Sequence, residues 1–243
     1  MAVEIGHVEA LFRYPVKSMR GEPLEVAALG WHGVEGDRRL AVRRMDDRSG
    51  FPWLSASKLP ELLRFTPCRS DGSPEALPSH VRTPDGSELP VFGADLAAEI
   101  ERRHGAGVEM MELKHGVFDE ASISVIATDT VHEIARLSGC SADVRRFRPN
   151  VVVRLRRPGP FQEDEWVGRM LSFGGGDDAP AVAATQRDIR CAMVNFDPDS
   201  AAAAPEVLKA VVRVHQNTAG IYGTVTRAGR LAVGQTVILH TTA

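Results

Sequence analysis

The sequence predicts a mainly β chain with a few helices (α+β), built as barrels rather than as a helical bundle, on three observations. Short runs of apolar and β-branched residues recur along its length, Gly and Pro turns separate them, and only three stretches carry helical spacing. Many short strands divided by such turns are the pattern of a barrel-like β fold.

Taken in order, residues 3–12 are rich in strand formers and run up to Tyr14-Pro15. Residues 24–29 make a second apolar run, closed by Gly30. Residues 38–44 alternate with period two at Leu40 and Val42, as in a half-buried strand. Residues 46–50 form a turn, and residues 51–54 a return strand. Residues 68–80, rich in Ser, Pro and Gly, read as a surface loop. A hairpin over residues 81–91 turns at Asp85-Gly86. The first helix, residues 94–104, places Leu96, Ala97 and Ile100 on one face and stops at Gly105. A strand at residues 123–127 leads into a helix over residues 130–138, where Thr130 and Glu133 have capping-box spacing and Gly139 ends the run. Residues 151–155, 170–173 and 181–185 read as strands, with Gly174-Gly175-Gly176 as a hairpin loop. The third helix, residues 205–214, opens on a proline, the favoured first helical position. Residues 221–226 and 236–240 complete the strands, and a boundary after the first helix divides the chain into 1–112 and 113–243.

Composition bounds the function. The 243 residues are 43% hydrophobic and 25% charged, ordinary for a soluble globular protein. A formal charge of -3 argues against general nucleic-acid binding. The three cysteines, Cys68, Cys140 and Cys191, show neither CxxC nor metal-finger spacing, which favours a reducing compartment over a disulfide scaffold. No basic leader precedes an apolar run, and no stretch approaches the ~18 apolar residues of a membrane span. A soluble cytoplasmic protein without membrane contact is expected.

Chemistry concentrates in a few places. In Arg187-Asp188-Ile189-Arg190-Cys191, one thiol stands beside arginines, which favour the thiolate that binds metals or attacks electrophiles. By itself it reads more readily as a small buried hydrophobe. Lys17-Ser18 and Gly36-Asp37-Arg38-Arg39 sit at loop edges, as anion sites or as solvated charge. Arg145, Arg146 and Arg148 precede a strand, and Pro149 directs Arg148 and Asn150; a single anionic ligand fits this patch better than nucleic acid, with a charged loop as the alternative. Thr128-Asp129-Thr130 opens a helix, where phosphate binding and simple capping compete. Glu163-Asp164-Glu165-Trp166 reads as an acidic turn more readily than as a cation site.

Together these segments resemble the MOSC family, named for the C-terminal domain of molybdenum-cofactor sulfurases, preceded by the β-barrel domain found before it in many members. The matching pieces follow the family's order: Tyr14-Pro15-Val16-Lys17-Ser18, Gly36-Asp37-Arg38, Arg146-Phe147-Arg148-Pro149-Asn150, Glu163-Asp164-Glu165-Trp166, Arg190-Cys191, Asp197-Pro198 and Gly220-Ile221-Tyr222. The layout is similar to bacterial two-part MOSC proteins and the mitochondrial amidoxime-reducing component. The resemblance implies a smaller N-terminal barrel domain (1–112) packed on a MOSC barrel (113–243), with molybdenum cofactor (molybdopterin) bound between them.

It further implies that Cys191 is the metal ligand and catalytic centre. Lys17, Arg38, Arg148, Asn150 and Arg190 then hold the cofactor, and Thr128 and Thr130 match a cofactor-contacting loop less closely. The implied reaction is reduction of a small N-hydroxylated molecule. Electrons would come from an external donor, a ferredoxin-like protein and its reductase. A sulfur or cofactor carrier using a Cys191 persulfide is the alternative, and a non-catalytic binding module a third reading. The chain departs from the family pattern after Asp199, where Ser200 is followed by four alanines, and at Val194, Asn195 and Gln235.

Overall fold

A computed structural model of the chain describes residues 2–70 and 77–240. Seven strands close into a barrel. In spatial order they are Ala2–Arg13, Val151–Leu155, Ile123–Ala127, Thr218–Arg227, Ala181–Ile189, Met170–Phe173 and Thr236–His240, which pairs back onto Ala2–Arg13. All neighbours are antiparallel except Ile123–Ala127 and Val151–Leu155. That parallel pair needs a crossover, supplied by helix α2 (Thr128–Ser138; α1 is Ala94–His104).

Side-chain alternation sorts the strands into layers. Val151, Val153 and Leu155 fill the barrel interior, while Val152 faces outward against α2 and α3 (Glu206–His215). Gly220, at φ 79°, interrupts the alternation, so that Ala219 packs in the helical layer and Ile221 inside the barrel. A small sheet of Gly229–Ala232, Val26–Gly30 and Gly33–Val34 adds Ala27, Leu29, Val34 and Leu231 to the same interior.

A second core forms around Leu40, Leu54, Leu62, Phe65, Leu96 and Ile100. Its frame is the pair Leu40–Arg44 with Val108–Glu112, the sheet Thr66–Cys68, His80–Arg82 and Glu88–Pro90, and α1. The first strand, drawn with the N-terminal part in the sequence, thus lies in the large barrel, and the second core is built from residues between Val16 and Met110.

Local expectations fare unevenly. Helix α1 ends at Gly105 in the left-handed region, and the hairpin turns at Asp85-Gly86 between its two short strands. The return strand expected at 51–54 reduces to a single bridge between Arg43 and Trp53. Leu40, Ala41 and Val42 are all buried rather than alternating. Helix α2 starts at Thr128, with Ala127 before it and no side-chain cap, so the Thr130–Glu133 capping box does not form; Glu133 pairs with Arg136 instead. Helix α3 begins at Glu206, with Pro205 just before it. Part of the loop expected at 68–80 lies outside the described residues. Among the described residues, no helix is long and apolar enough to cross a membrane.

The barrel seam is tight at Gly6, where an added Cβ would stand 2.0 Å from the Arg154 carbonyl oxygen. Backbone there cannot yield without opening the pairing of Gly6 with Leu155. Gly6→Ala should destabilise the chain by about 1–3 kcal/mol, lowering the melting temperature by roughly 3–10 °C. Gly175→Ala, whose Cβ meets nothing within 4 Å, should leave it unchanged. Equal melting of the two variants would contradict this seam.

Candidate functional site

A cleft of about 300 Å³ opens where the second core meets the barrel. Lys17, Arg38, Phe51, Ser55 and Ser57 line it from one side. Ser124, Tyr222 and the segments 146–148 and 188–191 line it from the other.

Its basic end is organised around a phenol ring. Tyr14 is buried, with the Arg148 guanidinium 4.2 Å and the Arg38 guanidinium 4.9 Å from its ring centroid. Both arginines have left-handed backbones, at φ 50° for Arg38 and φ 51° for Arg148. Non-glycine residues adopt that conformation at a cost, and such residues cluster at functional sites. Arg38 donates to the Asp37 carboxylate and, through Nη2, to the Arg148 carbonyl at 3.0 Å. Arg148 donates Nη1 to the Met19 carbonyl at 2.8 Å, while its buried Nη2 has no hydrogen-bond partner. Burial pushes the Arg148 guanidinium down to about 10, with the Arg38 charge adding to the effect. Lys17 is also held low by burial, although its Nζ meets Asp119 at 2.8 Å. It stands 5.1 Å from the Phe51 ring centroid.

Cys191 lies two residues past the end of the strand Ala181–Ile189 and is exposed. Period-two alternation turns Asp188 and Arg190 inward and Ile189 and Cys191 outward. The thiol's neighbour is the Ser57 hydroxyl, at 3.9 Å across the cleft. The arginines expected to hold this thiol deprotonated are committed elsewhere. Arg190 donates Nε to the Ala219 carbonyl at 2.7 Å and Nη1 to the Phe147 carbonyl at 2.8 Å. Arg187 reaches Asp164 at 3.4 Å and Gln216 at 3.3 Å. Gly220 permits the Arg190 approach, since a Cβ there would lie 3.1 Å from Arg190 Nη2 and 2.7 Å from the Val125 carbonyl oxygen.

After the cysteine, Asp197 accepts from the backbone N–H groups of Asp199 and Ser200. Asp199 then clasps Arg20 and Arg145, each at 2.6 Å. Ala201 stands at φ 61°, a left-handed position filled without glycine.

Of the residues expected at the site, Lys17, Arg38, Arg148, Arg190 and Cys191 share this cleft. Asn150, Thr128 and Thr130 do not line it. Asn150 is a buried brace: its Nδ2 donates to Asp37 at 3.1 Å and to the Phe12 carbonyl at 3.3 Å, and its Oδ1 accepts from the Ser124 N–H. Thr128 bonds the Glu9 carboxylate. Thr130 donates to Glu163 at 2.9 Å and accepts from the Phe161 N–H at 2.7 Å, so its hydroxyl secures a loop rather than a ligand. Glu163 is fully buried there rather than solvated. Among the described residues, no group of three or more His, Cys, Asp or Glu is placed to hold a metal ion.

The sequence reading missed Ser57, Phe51, Asp119, Asp188 and Tyr222 as cleft residues. Only Tyr222 carried a signal, as part of the Gly220-Ile221-Tyr222 match. Asp188 is the least expected of them, a carboxylate inside a basic cleft that burial pushes up to about 6 against the opposing pull of Arg190 and Ser124.

The chain matches the MOSC domain family model over residues 112–238 and the MOSC N-terminal beta barrel domain model over residues 5–128. No curated protein matches it. Among solved structures it is similar to the YuaD protein from Bacillus subtilis, at 15% identity and a TM-score of 0.54, covering 100% of this chain and 99% of that one. It is also similar to YiiM from Geobacillus stearothermophilus, at 18% identity and a TM-score of 0.38, covering 49% of this chain and 54% of that one. At such identities the YuaD likeness speaks for the fold alone.

The buried Glu163 makes a pH prediction. Burial raises its carboxyl from 4.5 to about 7 in the folded chain. Between those values the folded state binds more protons than the unfolded one, so stability falls as pH rises through that window. Glu163→Gln should flatten the fall in melting temperature between about pH 5 and pH 8. A wild-type curve that rises over this range would refute the assignment.

Proposed function

Because the chain belongs to the MOSC family, we propose that this cleft binds molybdenum cofactor and that the protein reduces N-hydroxylated compounds with electrons from a separate donor. One observation carries the reading: a single exposed thiol stands at a cleft lined by Lys17, Arg38, Arg146, Arg148 and Arg190.

The residues fit such a group. Arg148 Nη2, Arg146 Nε and Arg190 Nη2 are buried without hydrogen-bond partners, as donors awaiting anionic or carbonyl oxygens are. Lys17, Arg38 and Arg148 suit the phosphate, because charge-assisted hydrogen bonds to phosphate oxygens are the strong ones. Cys191 suits the metal, since thiolate is a soft ligand. The remaining ligands would come from the cofactor. When bound, the cofactor would supply a two-electron redox couple.

The chain's own residues would orient the ligand. The basic end would hold the anionic tail, and Ser57 and Cys191 would face the reacting group from opposite sides. Reduction of an N–OH compound breaks the N–O bond, consumes two electrons and two protons, and releases water. No iron–sulfur spacing links the three cysteines, so the electrons are assigned to a docking partner, a ferredoxin-like protein with its reductase. The exposure of Cys191 also favours a second reading, a carrier that holds sulfur there as a persulfide.

Metal and pterin analysis of protein made in cells that synthesise the cofactor tests the proposal. Cys191→Ser should abolish bound molybdenum without unfolding the chain, while Cys68→Ser and Cys140→Ser keep it. Full molybdenum content in the Cys191 variant would remove the thiol from the site. Cyanide-releasable sulfur on wild-type protein devoid of molybdenum would favour the carrier.

Arg148→Lys should weaken cofactor binding by roughly ten- to a hundredfold, since a point charge cannot replace the planar fork. Unchanged affinity would place the phosphate elsewhere.

A further inference from the structure

A phosphate site has no use for a carboxylate, yet Asp188 lines the cleft at 1% exposure. Its two oxygens are used unequally. Oδ2 accepts from Ser124 Oγ at 2.9 Å and lies 2.8 Å from Arg190 Nη2. Oδ1 is buried and meets no donor in hydrogen-bond geometry, while the Tyr222 side chain interacts with the carboxylate. Arg190 Nη2 is likewise without a hydrogen bond, its contact with Oδ2 being ionic but poorly aligned.

An acceptor and a donor therefore stand together, buried and unsatisfied, in one cleft. Buried polar atoms are nearly always satisfied, and an exception asks for an explanation, of which a bound ligand is one. An anion would be repelled by Asp188 at this end. A planar edge that presents an N–H next to a C=O satisfies both atoms at once.

We propose that Asp188 and Arg190 read the pyrimidinone edge of a pterin, Oδ1 accepting the ring N–H and Nη2 donating to the adjacent carbonyl. The inference rests on the cofactor reading and gives the cleft two poles. Lys17, Arg38 and Arg148 take the phosphate, while Asp188 and Arg190 take the far edge of the ring system. A site that pairs buried polar groups rejects an analogue that leaves them unpaired.

The test uses the fluorescence of free pteridines titrated with the purified full chain. Pterin carries the N–H and C=O edge. In 2,4-diaminopteridine the order is reversed, with an amino group in place of the carbonyl and an unprotonated ring nitrogen beside it. Wild-type protein should bind pterin at least about tenfold more tightly than the diamino compound. Asp188→Asn presents an N–H where the wild type presents a lone pair, and it should erase or reverse that preference.

Melting curves show whether the variant folds, and if it does not, the wild-type preference alone decides. Equal affinities, a preference for the diamino compound or no pterin binding in the wild type would overturn the proposal. So would a tenfold preference retained by a folded Asp188→Asn. Discrimination without any reductase activity would keep this subsite and remove the enzyme reading. Molybdenum-loaded protein that does not discriminate would do the opposite.

Discussion

The carboxylate of Asp37 holds the cleft's arginines where they are. It is 1% exposed and accepts from the Tyr14 backbone N–H at 2.7 Å, from Asn150 Nδ2 at 3.1 Å and from Arg38. A buried charge without partners is strongly destabilising, so each of these donors is held as firmly as the acid itself. Asn150 passes the constraint on, accepting from the Ser124 N–H and donating to the Phe12 carbonyl. Four segments are thereby fixed to one another: the end of Ala2–Arg13, the turn into Leu40–Arg44, and the starts of Val151–Leu155 and Ile123–Ala127. Arg38 adjoins one member of this network and Arg148 lies two residues from another. Both have left-handed backbones, and both send their guanidinium across Tyr14.

The same geometry explains why a cleft exists at all. The chain lays its first strand into the barrel, adds Val26–Gly30 and Gly33–Val34 to the barrel interior, then builds most of the second core from Leu40 onward and returns to the barrel at Ile123. Lys17 and Arg38 sit on the outgoing path, Asp119 and Ser124 on the returning one. The two family matches overlap, at 5–128 and 112–238, as expected where one unit is threaded through the other. Residues more than a hundred positions apart meet here because both crossings occur at one end of the barrel.

How much of this was legible depended on the range of the interaction. Barrel strands were readable because alternation and turn residues are local, and Gly105 marked the end of α1 for the same reason. Lys17, Arg38, Arg148, Arg190 and Cys191 were readable as a set only through the order of their motifs, since each alone is an ordinary charged or apolar residue. Thr130 misled because a local rule, capping, lost to a tertiary one: Glu163 and the Phe161 N–H claim its hydroxyl. Asp188 and Ser57 had no sequence signal, their roles being created by what lies opposite. The roles given to Arg187 and Arg190 failed similarly. Sequence adjacency placed them beside the thiol, whereas strand alternation and the Ala219 and Phe147 carbonyls turned Arg190 inward.

The electrostatics of the cleft bear on how it would take the proposed ligand. Arg148 and Lys17 are buried and pushed below their ordinary basicity, which means the folded chain holds positive charge where it is poorly solvated. Lys17 has an acidic partner, but Asp119 is the exposed member of the pair, its side chain 61% accessible against 6% for Lys17. An incoming anion therefore competes with a carboxylate that regains water when displaced, while the lysine keeps a counter-charge throughout. Arg148 offers no such exchange, because its Nη2 is already unpartnered and the ligand relieves that lack directly. Asp188 works against the same anion at the other end. The cleft would thus orient the proposed ligand by charge before any shape is read: the anionic end would be drawn to the Tyr14 arginines and excluded from the neighbourhood of Asp188. Because these groups are buried, that orientation is screened by salt far less than a surface attraction would be.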